Sequence, residues 1–141
     1  MARDEKSVHR SLRLGSSLVA SLLRRADEAG ESANRLAERY IDEGLRREEH
    51  PLIGFRGGAG GRRAALVGTR LDVWQVIETL RNSGNSAAET ADYLGIPEPW
   101  VRAAARYYGA YGDEVDGFAE RARAIAEREE ELWRGEQAVL A

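Results

Sequence analysis

Apolar and polar positions alternate with a period of two over Ser7–Leu14, where the chain reads S-V-H-R-S-L-R-L. Val8, Leu12 and Leu14 share one parity, and His9, Ser11 and Arg13 share the other. That period predicts a strand with one wet face, although Arg10 sits on the apolar parity. Gly15-Ser16-Ser17 breaks the strand and offers hydroxyls for an N-cap. A helical period follows at Leu18, Leu22, Ala26 and Ala29, widened by Val19 and Leu23. Gly30 is placed to end this helix, and Ser32 to cap the next. The second helix has the apolar face Ala33, Leu36, Ala37, Tyr40, Ile41, Gly44 and Leu45, and Pro51 marks its boundary.

A strand and two helices in so short a segment cannot close a core alone. A lone strand also leaves both edges unpaired. A second copy of the chain remedies both: two strands pair antiparallel and four helices enclose a shared core. Such a pair presents His9, Ser11 and Arg13 twice on one surface. A two-stranded ribbon fits the major groove of DNA, where outward side chains reach base edges. Arg13 is the strongest reader, because a guanidinium bonds guanine O6 and N7 together. Ser11 can serve any base. The N–H groups opening the second helix, near Ser32 and Ala33, are placed to bind a phosphate oxygen. The alternative is a helical dimerisation module whose strand reads nothing.

The run V-H-R-S-L-R-L, followed by L-x-x-x-L-L-x-x-A-x-x-A-G-E-S-A-N-R-L, resembles the ribbon-helix-helix family of Arc, MetJ and CopG. The resemblance covers about residues 7–46. It implies that the outward strand residues read DNA and that the start of the second helix grips a phosphate. Those roles fall on His9, Ser11, Arg13 and Ser32. Arg10 stands where that family carries an apolar or small residue, and a contact with the DNA backbone is the role it would take.

Residues 52–68 read L-I-G-F-R-G-G-A-G-G-R-R-A-A-L-V-G. Two short apolar runs, Leu52–Phe55 and Ala64–Val67, flank a glycine-rich centre and predict a β-hairpin with a mobile loop. A phosphate-binding loop is excluded, since no G-K-[ST] follows. Arg56, Arg62 and Arg63 are either a weak nucleic-acid contact or a solvated tip. Asp72 caps a helix with the stripe Val73, Val76, Ile77 and Leu80, which Asn82-Ser83-Gly84-Asn85 ends. Ser86-Ala87-Ala88-Glu89 is a capping box. Ala91, Gly95 and Val101 then have the small, turn-forming and apolar character that a helix-turn-helix needs. Pro97 and Pro99 suit the start of its second helix. The expected inner face is Val101, Ala104, Ala105 and Tyr108; the outer face is Glu98, Arg102, Ala103 and Arg106. Arg102 and Arg106 favour phosphate, whereas Glu98 and Asp92 oppose it, so DNA contact and a structural role stand level.

G-T-R-L-D-V-W-Q-V-I-E-T-L, S-A-A-E-T-A-D-Y-L-G-I and V-R-A-A-A-R-Y-Y together resemble a family of prokaryotic antitoxin-like helix-turn-helix domains, over about residues 51–116. The resemblance implies an antitoxin of a type II toxin–antitoxin pair, similar to the VapB class, whose partners are small toxins of PIN-type nuclease fold. The loop here is longer than that family's usual hairpin.

Beyond Asp113–Asp116 a further helix runs towards Trp133, with Phe118, Ala122, Ile125, Leu132 and Trp133 at helical spacing and Glu129 interrupting the stripe. Either it packs on its own module, or it docks on a toxin. In the second case Phe118, Ile125, Leu132 and Trp133 are the anchors. Glu127, Glu129, Glu130, Glu131 and Glu136 would then face a basic surface. In the resemblance, antitoxin tails fold onto the toxin and cover its active site.

Charge sharpens this division. Residues 1–25 carry a net +4, residues 51–112 a net +2 and residues 113–141 a net −5, within a total of −3 over 141 residues. A basic front suits nucleic acid, and an acidic rear suits a basic partner or solvent. Apolar residues make up 43% and cysteine is absent, which excludes disulfide scaffolds, thiolate zinc sites and cysteine nucleophiles. No apolar run reaches a membrane span and the first residues lack a secretory pattern, so the expectation is a cytoplasmic protein with no membrane contact. His9 and His50 have no serine or carboxylate at a catalytic spacing, and the Glu48-Glu49-His50 run is a poor metal set. An enzyme is therefore the weakest class, and no cofactor is implied.

The reading is a mainly α protein of three parts. Residues 1–50 form a ribbon-helix-helix domain with an intermolecular ribbon, 51–116 a β-hairpin and helix-turn-helix, and 117–141 an acidic C-terminal helix. The expected function is a homodimeric antitoxin that binds operator DNA, represses its own operon and neutralises a toxin. The alternative is a stand-alone ribbon-helix-helix regulator without a toxin.

Overall fold

The computed structural model describes residues 5–141. Residues 1–4, the start of the expected first domain, lie outside them. The described chain is mainly α, with five helices, one two-stranded antiparallel hairpin and a long C-terminal helix. It divides into two compact units, residues 1–49 and 50–141.

In the first unit, α1 (Ser16–Ala29) and α2 (Ala33–Glu49) form a helical hairpin. Gly30 turns the chain in the left-handed region, with φ +65°. Its N–H donates to Asp27 O at 3.1 Å, and the Glu31 N–H donates to Ala26 O at 3.0 Å, closing the last turn of α1. Ser32 Oγ accepts from the Arg35 N–H at 3.1 Å, the expected cap of α2. The start of α1 differs from expectation. Gly15 is its N-cap and makes no side-chain cap, while Ser16 and Ser17 are already helical. Residues 5–15 carry no regular secondary structure, and the strand expected over Ser7–Leu14 does not form within one chain. A strand needs a neighbour to bond to, and none of the described residues pairs with this segment.

The second unit opens on the hairpin β1 (Ile53–Arg56) and β2 (Arg63–Leu66), in which Ile53 faces Leu66 and Arg56 faces Arg63. Helices α3 (Val73–Asn82), α4 (Ala87–Leu94) and α5 (Glu98–Leu140) follow. Both ends of α3 match the sequence, with Asp72 at the N-cap and Gln75 Oε1 accepting the Asp72 N–H at 2.9 Å. Ser86 Oγ accepts the Glu89 N–H at 3.2 Å and starts α4. Gly95 ends it at φ +67°, and Ile96 N–H donates to Ala91 O at 3.1 Å. The core gathers Ile53, Leu66, Val76, Val101, Ala104 and Tyr107 from the hairpin, α3 and α5.

Two expectations for α5 need correction. The fully buried tyrosine is Tyr107; Tyr108 is half-buried at the helix flank. Tyr107 closes on Phe55 and His50 at ring-centroid distances of 6.3 and 5.2 Å. The helix running towards Trp133 does form, but it starts earlier than expected: α5 is two helical stretches that meet at a kink at Tyr111 (φ −129°, ψ 34°), so Asp113–Asp116 lies in the first turns of the distal stretch rather than ahead of it. Carboxylates after the kink bond back to tyrosines before it. Tyr107 Oη donates to Glu114 Oε2 at 3.1 Å, and Tyr108 Oη to Asp116 Oδ2 at 2.9 Å. Gly109 and Gly112 flank the break, where glycine's low helix propensity lowers its cost.

Candidate nucleic-acid interface

The first unit has almost no core of its own. Ala26 and Leu36 are its buried apolar residues, while Leu12, Leu14, Leu18, Leu23, Tyr40, Ile41 and Leu45 are exposed. Several of these line one apolar groove of about 440 Å³: Leu12, Leu14, Leu18 and Leu22 meet Ala37, Tyr40 and Ile41 there. The stripes of α1 and α2 therefore point the same way, and Leu12 and Leu14 of the alternating segment join them. Ser11 and Arg13, of the other parity, do not line the groove, and neither does Arg10. Arg24 and Arg25 stand on the rim. The Arg25 guanidinium is held above its ordinary pKa by the hydroxyl of Tyr40 and the carboxylate of Glu28, so this edge stays cationic.

His9, Arg10, Ser11 and Arg13 are all exposed. At the start of α2 the Ser32 hydroxyl is engaged by Arg35, and no acidic residue occupies the first turn. The N–H groups of Ala33 and Asn34 have no acceptor among the described residues. A helix start of this kind favours an anion.

In the second unit the candidate cations separate. Arg102 donates twice to Glu98 Oε1, from Nη2 at 2.8 Å and Nε at 3.1 Å, so its charge is already matched. Arg106 is exposed and has no carboxylate partner among the described residues. Two of the three hairpin arginines, Arg56 and Arg63, are engaged within the unit, and Arg62 is exposed. Arg56 Nη2 and Arg63 Nε lie 2.9 and 2.8 Å from the two oxygens of the buried Asp72 carboxylate. The glycine-rich loop is exposed at residues 57–59, 61 and 62 but is anchored at Gly60. Gly60, at φ +85°, comes so close to α5 that a Cβ there would meet Phe118 and Ile125 at 3.3 Å. Arg121 Nε donates to Gly60 O at 3.0 Å, and Arg63 and Arg121 both stand over the Phe118 ring.

That packing divides the expected anchors of α5. Phe118 is 6% exposed and Ile125 half-buried, both beneath the loop, whereas Leu132 and Trp133 are more than half exposed. Val139 and Leu140, at 84% and 70%, extend the exposed face beyond the residues read from the sequence. The sevenfold recurrence of Phe118, Ile125, Leu132 and Val139 marks the first, and the same spacing from Trp133 marks Leu140. His50 is buried edge-on against Tyr107 and Tyr111, which assigns it to packing. Among the described residues no helix is long and apolar enough to cross a membrane, and no group of three or more His, Asp or Glu is arranged to hold a metal. No protein-family profile, curated protein or solved structure matches this chain.

Proposed function

We propose that this protein is a dimeric, DNA-binding antitoxin of a type II toxin–antitoxin pair, which represses its own operon and neutralises a toxin of PIN-like nuclease fold. The observation that carries the DNA-binding part is the open apolar groove of residues 12–41. Leucines from the alternating segment and α1 line it together with Ala37, Tyr40 and Ile41 of α2, and none of the described residues of the first unit covers it. A second copy across a two-fold axis closes it and supplies the missing strand. The ribbon then shows His9, Ser11 and Arg13 outward, with Arg10 and the start of α2 at Ser32 and Ala33 towards the phosphates. In the second unit Arg106, exposed and without a carboxylate partner among the described residues, is available to add a phosphate contact, and Arg102 contributes less because Glu98 neutralises it. The resemblance to VapB-class antitoxins supports the toxin-directed part, and so does the exposed Leu132–Trp133 end of an acidic helix.

The test is a gel shift with a palindromic fragment from the gene's own promoter. The full chain shifts it with an affinity that falls steeply with salt. Arg13→Ala weakens the shift by about tenfold to a hundredfold, the size of one bidentate guanine contact. A wild-type chain that leaves the fragment unshifted contradicts the reading. The stand-alone regulator is favoured instead by the burial of Phe118 and Ile125 within their own unit. Co-expression with the product of the adjacent gene separates the two: a stable complex is expected of the antitoxin.

A further inference from the structure

We propose that the distal half of α5 docks in an apolar groove of a basic protein partner, and that Glu129 and Glu136 set its register by pairing with two cations there. This rests on the toxin-binding reading above and adds to it the chemistry of the partner's surface. The apolar face of α5 has two neighbouring rows of sevenfold spacing. One is Phe118, Ile125, Leu132 and Val139; the other is Ala119, Ala126, Trp133 and Leu140. In the proximal half the rows are sheltered by the unit itself, with Phe118 and Ala119 buried. In the distal half Leu132, Trp133, Val139 and Leu140 are all at least half exposed. The same face thus continues past the body that covers its first turns.

At 100° per residue, Glu129 and Glu136 fall between the Leu132 and Trp133 rows, in the middle of this exposed face. The other charges of the segment are matched or turned away. Arg134 Nη2 lies 2.6 Å from Glu130 Oε1, and Arg128 Nη1 lies 3.7 Å from Glu131 Oε2. Glu129 and Glu136 have no partner among the described residues. Seven residues of helix hold them about 10 Å apart along the axis.

That arrangement selects among occupants. A second copy of α5 laid on this face would bring four carboxylates into one apolar seam, which like-charge repulsion and desolvation oppose. A membrane surface of anionic headgroups repels the same two groups. A protein groove that offers apolar contact to Leu132, Trp133, Val139 and Leu140, and two Lys or Arg side chains about 10 Å apart, satisfies every group. The net −5 of residues 113–141 steers the helix to such a partner.

The experiment co-expresses the full chain with the product of the adjacent gene and measures the affinity of the purified pair. Four forms are compared: wild type, Trp133→Ala, Leu132→Ala, and the double variant Glu129→Gln with Glu136→Gln. The glutamines keep size and helix propensity, and circular dichroism verifies that helix content is unchanged. Trp133→Ala and the double variant are each expected to weaken the complex by about tenfold or more, the scale for truncating an interface anchor or breaking a paired charge. A double variant that binds as wild type, beside a Trp133→Ala that does not, overturns the carboxylate register while leaving the toxin-binding reading intact. Failure of the wild type to bind overturns both. Sedimentation of the four proteins alone gives a further arm: an unchanged oligomeric state is expected. A smaller species from Trp133→Ala assigns the face to a second copy and overturns the proposal.

Discussion

The unit formed by residues 50–141 buries Val76, Val101, Ala104 and Tyr107 completely, whereas within residues 5–49 Leu36 alone of the apolar side chains reaches that state and only Ala26 comes near it. Both segments are amphipathic and both have well-formed helix ends. They differ in what lies opposite the apolar face. In the second unit the hairpin, α3 and α4 close on α5. In the first, α1 has only α2, and two helices side by side leave one face of the pair open. Local sequence rules make good helices in both cases. A core requires a third layer, which the second unit has within the chain and the first takes from another copy in the proposed dimer.

The substitution with the largest expected effect is Ile41→Asp, which places a charge in the open groove. It is expected to abolish dimerisation and operator binding, since an unpaired carboxylate buried in a shared core costs several kcal/mol in each copy, on the order of 5 or more in all. The second unit is expected to keep its thermal transition. Tyr107→Ala reverses the pattern. It removes the central ring of the second core and lowers that unit's stability by about 3–5 kcal/mol, read as an earlier transition by calorimetry, while dimerisation persists.

Asp72→Ala comes next. It leaves the half-buried Arg56 and Arg63 without their shared carboxylate and removes the N-cap of α3, for a loss of about 3 kcal/mol. Operator affinity is expected to change far less than for Arg13→Ala.

The smallest effect concerns the break in α5. Burial, and then the hydrogen bond and charge of Asp116, hold the Tyr108 hydroxyl above its ordinary pKa. A raised value favours the neutral phenol in the folded state. The stability it lends is fully present below the ordinary tyrosine range near pH 10 and is lost as pH rises through the higher folded value. Asp116→Asn is expected to bring the ultraviolet titration of Tyr108 partway back towards the ordinary range, leaving the burial contribution in place. An unmoved titration contradicts the role of Asp116.

Much of this was legible in the chain because it depends on neighbours in sequence. Gly30 and Gly95 end their helices in the left-handed region, Ser32 and Ser86 cap theirs, and the two apolar runs around the glycines pair as a hairpin. What the sequence hid depends on long-range contact. Tyr107 and Tyr108 are adjacent, and only the position of the hairpin decides that the first turns inward. The arginines of the hairpin read as surface cations until Asp72 is brought between them. The glycines read as a loose loop, yet the missing side chain of Gly60 lets the loop lie against Phe118 and Ile125. For the candidate interface, Leu12 and Leu14 line the groove and Ser11 and Arg13 do not, while Val8, of the leucines' parity, is exposed outside it. The expected strand is absent from the single copy, where residues 5–15 carry no regular secondary structure; in the proposed dimer it takes its bonding partner from a second copy.

The most direct measurement uses the absence of cysteine. A spin label attached through Ser11→Cys, at the centre of the alternating segment, reports the distance to the same label on a second copy. Strands in a ribbon lie about 4.8 Å apart, so the account predicts one narrow, short distance that Ile41→Asp abolishes. A chain that stays monomeric, or that dimerises with the two labels far apart, contradicts it.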